Sequence, residues 1–291
     1  MGSPGKVKDG KIAMDTGIGR ETGRGSRSLL ERLEALYCIY NRKEYISPDP
    51  LETLFPYQTL RDREAAGFVV SAISYGRASQ IVKSARKILS SLGPSPWETL
   101  REASPVFLEE KTKSFRHRFT SGLEMGMFLG GMGKILREYG SLEELLWECL
   151  RGKRSRMDGF IAFVRKIRGA AGFGKGSLLS SPEDGSACKR FFLYLKWMTR
   201  QDGVDPGGWS VIVPRDLVIP LDVHMFRICS ALRLVTRRSA DLKTALEATE
   251  AFRELQPEDP AKYDFVLTRF GIRSDLDESS LVESCLGGDE A

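Results

Sequence analysis

The sequence lacks the clustered cysteines and histidines that build most protein metal sites. Histidine occurs only twice, at His117 and His224. The five cysteines are widely scattered, and no two form a Cys-x-x-Cys pair: Cys38, Cys149, Cys188, Cys229 and Cys285. This spacing predicts free thiols and excludes the usual patterns of structural zinc sites and cysteine-ligated iron–sulfur clusters. We therefore expect a protein that needs no metal or other cofactor.

Long apolar segments are also missing. No run approaches the roughly 20 apolar residues of a membrane helix, and the N-terminus has no signal-peptide pattern. Hydrophobic residues make up 41% and charged residues 29% of the 291 residues, which is typical of globular proteins. The sequence thus predicts a soluble, cytoplasmic, monomeric protein that makes no membrane contact.

Charge is distributed unevenly along the chain. The formal net charge is +5 in total, +3 in residues 1–28 and −6 in residues 274–291, which leaves +8 for residues 29–273. The first segment is rich in glycine and charge, so we expect a disordered basic extension. The last segment is predicted to be an acidic tail. The basic middle suits a polyanion such as nucleic acid, although many soluble proteins of this charge bind none.

Helical periodicity recurs between these two segments, whereas convincing alternation does not. Two sets of apolar residues follow spacings of four, three and four: Ile81, Ala85, Ile88 and Leu92, then Phe128, Met132, Ile135 and Tyr139. Further helices are predicted near residues 63–74, 141–150, 157–168, 187–200, 222–232, 240–255 and 259–270. The predicted fold class is therefore all-α.

A basic stripe marks the helix predicted over residues 187–200. Lys189, Lys196 and Arg200 recur at spacings that place them on one helical face. If Ser186 is the N-cap, Lys189 lies in the first turn, where the positive end of the helix dipole disfavours an ammonium group. A neutral amine is a nucleophile. The stripe is either an ordinary solvated face or a functional one.

The segment around Asp222 also has two interpretations. An extended Ile-Pro-Leu sequence leads into Asp222, which precedes a predicted amphipathic helix. As an N-cap, its carboxylate accepts a backbone N–H bond worth about 1 kcal/mol. A carboxylate held this way is also ionised and oriented, so it can stabilise a developing cation.

These two segments resemble a known superfamily. The run Pro220-Leu-Asp222-Val-His224-Met-Phe-Arg227 resembles the Val-Asp-Thr-His-x-x-Arg segment of the helix-hairpin-helix DNA glycosylases, the superfamily of endonuclease III. The helix with Lys189 and Lys196 is similar to that of the archaeal 8-oxoguanine DNA glycosylases, where the first lysine forms a Schiff base. The resemblance implies that Lys189 and Asp222 are catalytic. It also implies two helical lobes that flank a cleft.

The resemblance implies further contacts with the substrate. The segment around Tyr75 and Arg77 is similar to the loop that supplies a wedge to the DNA stack. The other residues expected to contact the extruded base or the DNA are Lys196, Arg200, Trp197, Trp209, His224 and Arg227, although aromatic residues at helical spacing more often belong to a core. The phosphate-binding Leu-Pro-Gly-x-Gly hairpin is absent, and the corresponding residues 180–185 are acidic. Residues 49–272 more closely resemble an uncharacterised bacterial family, domain of unknown function 2400.

The resemblance implies a DNA repair glycosylase with AP lyase activity, whose partner is double-stranded DNA with a damaged or mispaired base. Such enzymes extrude the target nucleotide from the stack. The lesion 8-oxoguanine is the first guess, because the lysine helix resembles the archaeal type. Two alternatives stay open. The chain could be a non-catalytic DNA- or RNA-binding protein on the same fold, or a helical interaction protein without a nucleic-acid function.

Overall fold

The structure is a computed structural model, and it describes residues 22–174 and 178–286, with side chains from residue 28 onward. These residues form thirteen α-helices: α1 (Thr22–Tyr40), α2 (Leu60–Ala72), α3 (Ala78–Leu92), α4 (Pro96–Glu102), α5 (Pro105–Thr112), α6 (Gly122–Tyr139), α7 (Leu142–Leu150), α8 (Arg156–Ala171), α9 (Lys189–Thr199), α10 (Val223–Ala231), α11 (Leu242–Leu255), α12 (Asp264–Ile272) and α13 (Glu278–Leu286). The predicted all-α class is confirmed. None of these described helices combines the length and apolar character needed to cross a membrane.

The remaining regular structure is short. A two-stranded antiparallel hairpin, β1 (Arg116–His117) and β2 (Thr120–Ser121), lies between α5 and α6. Four 3₁₀ helices occupy Lys43–Tyr45, Pro50–Leu54, Pro182–Asp184 and Pro214–Asp216. Strands of two residues are too short to produce an alternating apolar pattern.

Side-chain caps explain where many of the helices begin. Ser95, Ser104, Ser141 and Ser155 each accept a backbone N–H bond at the start of α4, α5, α7 and α8. Ser121 forms a reciprocal capping box with Glu124 at the start of α6. These bonds satisfy N–H groups that have no partner inside the helix, so the polar residues fix the helix boundaries.

Helix packing places α9 at the centre of the site described below. Helices α2 to α8 contact one another extensively, and a second set of contacts joins α1 with α10 to α13. Helix α9 packs on α2, where Phe68 and Tyr194 lie with ring centroids 4.8 Å apart. Every residue from Phe191 to Thr199 is buried. Lys189, at the start of α9, is therefore held by a rigid support.

Both terminal segments differ from the sequence-based prediction. Helix α1 begins at Thr22, so residues 22–28 are helical, and residues 1–21 of the expected extension lie outside the described residues. The expected acidic tail contains α13, in which Leu281 and Cys285 are buried. Arg32 of α1 donates a hydrogen bond to the Cys285 carbonyl oxygen at 2.9 Å. Apolar residues at helical spacing pack α13 onto the fold despite the surrounding acids.

Candidate active site

Lys189 is the first residue of α9, as its predicted position in the first turn requires. The preceding residue is Cys188, whose φ of 49° places the backbone in the left-handed region. The Ser186 hydroxyl accepts a hydrogen bond from the Cys188 N–H at 3.3 Å. Ser186 is therefore not the N-cap that the sequence suggested, because the chain turns at Cys188 before the helix starts.

The Lys189 amine lies between two oxygen atoms from distant parts of the chain. Its Nζ donates to the Ser74 carbonyl oxygen at 3.3 Å and lies 3.9 Å from Asp222 Oδ2. The side chains of Lys189 and Asp222 keep 26% and 21% of their surface exposed, so an incoming molecule can reach both groups. The structure thus brings together the two residues that the sequence pointed to as catalytic.

Asp222 uses its two carboxylate oxygens differently. Oδ1 accepts the backbone N–H groups of His224 and Met225, at 3.0 and 2.9 Å, and so caps α10. Oδ2 faces the Lys189 amine. The capping role inferred from the sequence is therefore confirmed. The second oxygen remains directed toward the Lys189 amine, so the cap also holds the carboxylate in a fixed orientation.

Two cavities meet at this pair. The first has a volume of about 380 Å³ and extends toward α3, α9 and α12, with Pro48, Leu193 and Phe265 among its lining residues. The second, of about 450 Å³, extends along Cys188 and Arg190. The residues that line both cavities are Gly76, Lys189, Asp222 and His224. Any reaction at Lys189 thus has space on two sides.

His224 closes one edge of both cavities. Its Nδ1 lies 2.9 Å from Arg227 Nη2, and the same Arg227 nitrogen pairs with Glu278 of α13 at 2.9 Å. The ring also lies against Gly271, because a Cβ atom there would be 2.1 Å from His224 Nδ1. Arg227 remains largely exposed, which leaves its charge available to a polyanion.

Lys196 and Arg200 do not form the exposed basic face that the helix pattern suggested. Their residues are 1% and 3% exposed. Lys196 Nζ lies 3.1 Å from Asp205 Oδ1 and 3.4 Å from Asp264 Oδ2, and Arg200 pairs with Asp202, Asp205 and Asp259. Charges neutralised by buried carboxylates have no surface to offer to a phosphate. These two residues therefore present no exposed basic surface, and their predicted contact with the substrate or the DNA stays a prediction, since Lys196 also lines the first cavity.

The ion pairs of Lys196 with Asp205 and Asp264 also affect the pKa values of groups that line the first cavity. Burial acts to lower the pKa of Lys196, but Asp205 and Asp264 outweigh it and raise the pKa above its ordinary value. Burial raises the pKa of Asp264 to about 6, although Lys196 acts in the opposite direction. Both side chains line the first cavity. The neighbouring carboxylates thus favour the charged form of Lys196.

Replacing Lys196 with methionine should lower the free energy of unfolding by about 3–5 kcal/mol, because it leaves the buried carboxylates of Asp205 and Asp264 without this cation. The measurement is urea unfolding followed by circular dichroism. Lys113→Met is the matched control, since Lys113 pairs with Glu110 while both side chains are largely exposed. We expect that control to change stability by less than about 1 kcal/mol. An equally small effect of Lys196→Met would contradict the assigned role.

The two tryptophans predicted as stacking groups occupy different environments. Trp197 is buried and lines the first cavity. Trp209 packs edge-on against Tyr194, with ring centroids 5.2 Å apart, and lines neither cavity. The structure therefore places Trp197 where it could touch a molecule in the cavity and places Trp209 in the core.

Tyr75 and Arg77 each line one of the cavities, but the Tyr75 side chain is half-buried and hydrogen-bonded whereas Arg77 is exposed. The Tyr75 hydroxyl lies 2.9 Å from the His117 carbonyl oxygen and 2.6 Å from Thr120 Oγ1. Both of these partner residues belong to the β1–β2 hairpin. Tyr75 is half-buried there and cannot enter a base stack without losing these bonds. Arg77 precedes α3, is exposed and lines the first cavity.

Sequence reasoning missed two features of the site. Arg190, next to Lys189, donates to the Ala72 carbonyl oxygen at 2.8 Å, and its guanidinium lies 5.2 Å from the Tyr75 ring centroid. The acidic residues Glu183 and Asp184 pair with arginines of α8. Neither feature has a local sequence signal, because each depends on a partner far along the chain.

A family model described as "Protein of unknown function (DUF2400)" matches residues 49–273. The matched region includes Lys189, Asp222 and helices α2 to α12. No curated protein and no solved structure matches the chain.

Proposed function

We propose that this chain, which belongs to the DUF2400 family of proteins of unknown function, is a DNA glycosylase with AP lyase activity. Its substrate would be double-stranded DNA with a damaged or mispaired base. One observation carries the proposal: the Lys189 amine lies 3.9 Å from the Asp222 carboxylate where two cavities meet. An amine beside an oriented carboxylate is the arrangement that Schiff-base chemistry at a sugar carbon needs.

The two cavities suit the two parts of such a substrate. An extruded nucleobase would occupy the first cavity, where Trp197 and His224 offer flat surfaces and Asp264 offers a buried carboxyl group. Its volume of about 380 Å³ lies within the range of roughly 300–1,000 Å³ typical of ligand pockets. The damaged strand would follow the second cavity. In this arrangement the two sets of contacting helices are the lobes of a helix-hairpin-helix glycosylase, and the cavities are its cleft.

The proposed reaction begins at the sugar of the extruded nucleotide. Asp222 takes a proton from Lys189 or stabilises the positive charge that develops on the sugar. The neutral amine attacks C1′, the C1′–N bond breaks, and its electron pair leaves with the base, which takes up a proton. Loss of a proton from nitrogen and opening of the sugar ring then give the Schiff base. Removal of a C2′ proton finally breaks the C3′–O bond and cleaves the strand.

Base selection has two components in this proposal. Extrusion costs a few kcal/mol and costs least for a base that is already poorly paired, so lesions are favoured before any contact is made. The oxidised purine 8-oxoguanine is the first lesion to test, because the Lys189 helix resembles that of the archaeal enzymes. Exposed basic residues near the cavities, Arg77 and Arg227, would contact phosphates.

The direct test is borohydride trapping of the wild-type protein on duplexes that each carry one lesion, with a fully paired duplex as the control. A covalent complex, accompanied by a released base, on at least one lesion duplex and not on the control would support the proposal. A non-catalytic nucleic-acid-binding protein would bind these duplexes in a salt-dependent way without trapping or base release. A helical interaction protein would not bind them at all.

A further inference from the structure

The β1–β2 hairpin presents an apolar side chain to solvent. Phe119 lies at its tip with 85% of its surface exposed, more than any other large apolar side chain among the described residues. The neighbouring Arg118 has a φ of 51°, which turns the chain at the tip. Phe115 and His117 on the same segment are buried, so the hairpin itself is anchored. Exposure of Phe119 is therefore a property of the tip and does not reflect a loose loop.

The hairpin is fastened directly to the loop that borders the candidate active site. The Tyr75 hydroxyl joins it through the His117 carbonyl oxygen and Thr120 Oγ1. The His117 ring forms a second hydrogen bond between the two segments. Its Nε2 lies 3.0 Å from the Tyr75 carbonyl oxygen and donates to it, because a carbonyl oxygen can only accept. The rings of Tyr75 and His117 also meet edge-on, with centroids 4.8 Å apart. Because Tyr75 lines the second cavity, the hairpin is fixed at its edge.

A second contact brings the tip close to both cavities. The Arg118 side chain packs on Gly76, and a Cβ atom at Gly76 would lie 2.7 Å from Arg118 Nη1. Gly76 has a φ of 100° and lines both cavities. Only glycine combines this backbone conformation with room for the arginine. Arg118 therefore contacts a residue that lines both cavities, and Phe119 follows Arg118 in the chain.

The hairpin segment itself carries basic but no acidic side chains, although Glu110 pairs with Lys113 and Glu124 bonds to Ser121 at its two ends. Residues 111–121 contain four basic side chains and no acidic one. Arg116 and Arg118 are exposed on the hairpin, and the Arg118 guanidinium lies 5.6 Å from the Phe119 ring centroid. An apolar ring beside exposed cations fits duplex DNA, where stacked bases lie between two rows of phosphates.

We propose that Phe119 inserts into the base stack of duplex DNA and fills the gap that the extruded nucleotide leaves. Arg116 and Arg118 would bind the phosphates on either side. Apolar wedges of this kind separate base steps and kink the duplex. The proposal rests on the proposed glycosylase function and places the wedge on Phe119, with Tyr75 as the residue that positions the hairpin.

The experiment compares wild type, Phe119→Ala, Phe119→Leu and Trp147→Ala. The probe is a duplex with a tetrahydrofuran abasic analogue opposite 2-aminopurine, and the matching single strand serves as a second ligand. Trp147 is the matched control because it is 51% exposed and carries Arg151 over its ring at 4.9 Å, yet it lines neither cavity. Thermal unfolding checks that each variant is folded.

We expect Phe119→Ala to lose about tenfold or more in affinity for the duplex, as loss of an aromatic stacking contact does elsewhere. Its affinity for the single strand should stay within about twofold of wild type, because the phosphate contacts persist. The change in 2-aminopurine fluorescence at saturating protein should also disappear. Phe119→Leu should retain most of both signals, and Trp147→Ala should match wild type.

Two results would overturn the proposal, and they are distinguishable. If wild type traps on lesion DNA but Phe119→Ala keeps wild-type duplex affinity and the full fluorescence change, the wedge is not Phe119 and the glycosylase function stands. If wild type neither binds the duplex nor traps on any lesion, the wedge and the proposed function fail together.

Discussion

Replacing Lys189 with glutamine is expected to abolish the covalent protein–DNA complex that borohydride traps on lesion duplexes. Glutamine has no nucleophilic amine, so no bond to C1′ can form. Its amide can still donate to the Ser74 carbonyl oxygen, which Lys189 Nζ contacts at 3.3 Å. The variant should therefore fold and bind DNA while trapping falls below detection and base release falls by at least about 1,000-fold, since a nucleophile and its base act as a unit.

The matched control is Lys134→Gln. Lys134 is an exposed lysine whose amine, like that of Lys189, donates to a carbonyl oxygen, that of Ala170 at 3.0 Å, but it lines neither cavity. We expect this variant to trap as wild type does. A trapped complex that persists in Lys189→Gln, on any lesion that wild type accepts, would show that another amine is the nucleophile.

The second large effect is expected at Asp222. Asp222→Asn should lower the rate of base release by about 100- to 10,000-fold, the usual range for removal of a general base or an electrostatic stabiliser. Asparagine caps helices as well as aspartate does, so its carbonyl oxygen can replace Oδ1 at the N–H groups of His224 and Met225. The neutral amide removes only the charge that Oδ2 presents to Lys189.

Comparison with Asp222→Ala separates the two roles of this side chain. The alanine variant loses the cap as well as the charge, so it should be less stable than wild type by about 1 kcal/mol. Asp222→Asn should unfold close to wild type, and both variants should be inactive. Single-turnover base release and urea unfolding measure the two effects independently. An active Asp222→Asn would mean that the carboxylate serves only as a cap.

Helices α2, α3 and α6 to α12 and the central pair could be predicted from the sequence, because their signals are local, whereas α1, α4, α5 and α13 were not predicted. Apolar spacing of three and four identified α3 and the second half of α6, and a polar residue after an extended Ile-Pro-Leu segment located the start of α10. Lys189 and Asp222 were each marked by position at a helix start. The resemblance then suggested that they meet, although they are 33 residues apart in the sequence.

The burial of Lys196 and Arg200 could not be predicted from local signals of this kind. Their spacing with Lys189 defines a helical face, but a face is solvated or buried according to what packs on it. The carboxylates that bury them come from the loop after α9 and from residues near α12, at Asp259 and Asp264. A helical pattern contains no information about such partners, so two of the three basic residues, Lys196 and Arg200, are buried in ion pairs while Lys189 stays partly exposed.

Composition misled the prediction for α13. Its acidic residues led to the prediction of an acidic tail outside the helical domain, whereas Leu281 and Cys285, four positions apart, place one apolar face against the fold. Two buried residues in a short acidic segment give a weak periodic signal. The hairpin with Phe119 was not predicted for a related reason, since strands of two residues are too short to show an alternation of apolar and polar residues.

The contacts of α1 have a consequence for the order in which the chain folds during synthesis. Helix α1 is synthesised before the other described helices, yet its packing partners include α11, α12 and α13, which lie much later in the chain. Helix α9 packs on α2, which is already complete when α9 emerges. Helix α9, which begins at Lys189, can therefore pack on α2 as soon as it has been synthesised. Helix α10, which Asp222 caps, packs on α12 and α13 and can do so only after they have been synthesised. Lys189 and Asp222 therefore come together only after α12 and α13 have been synthesised.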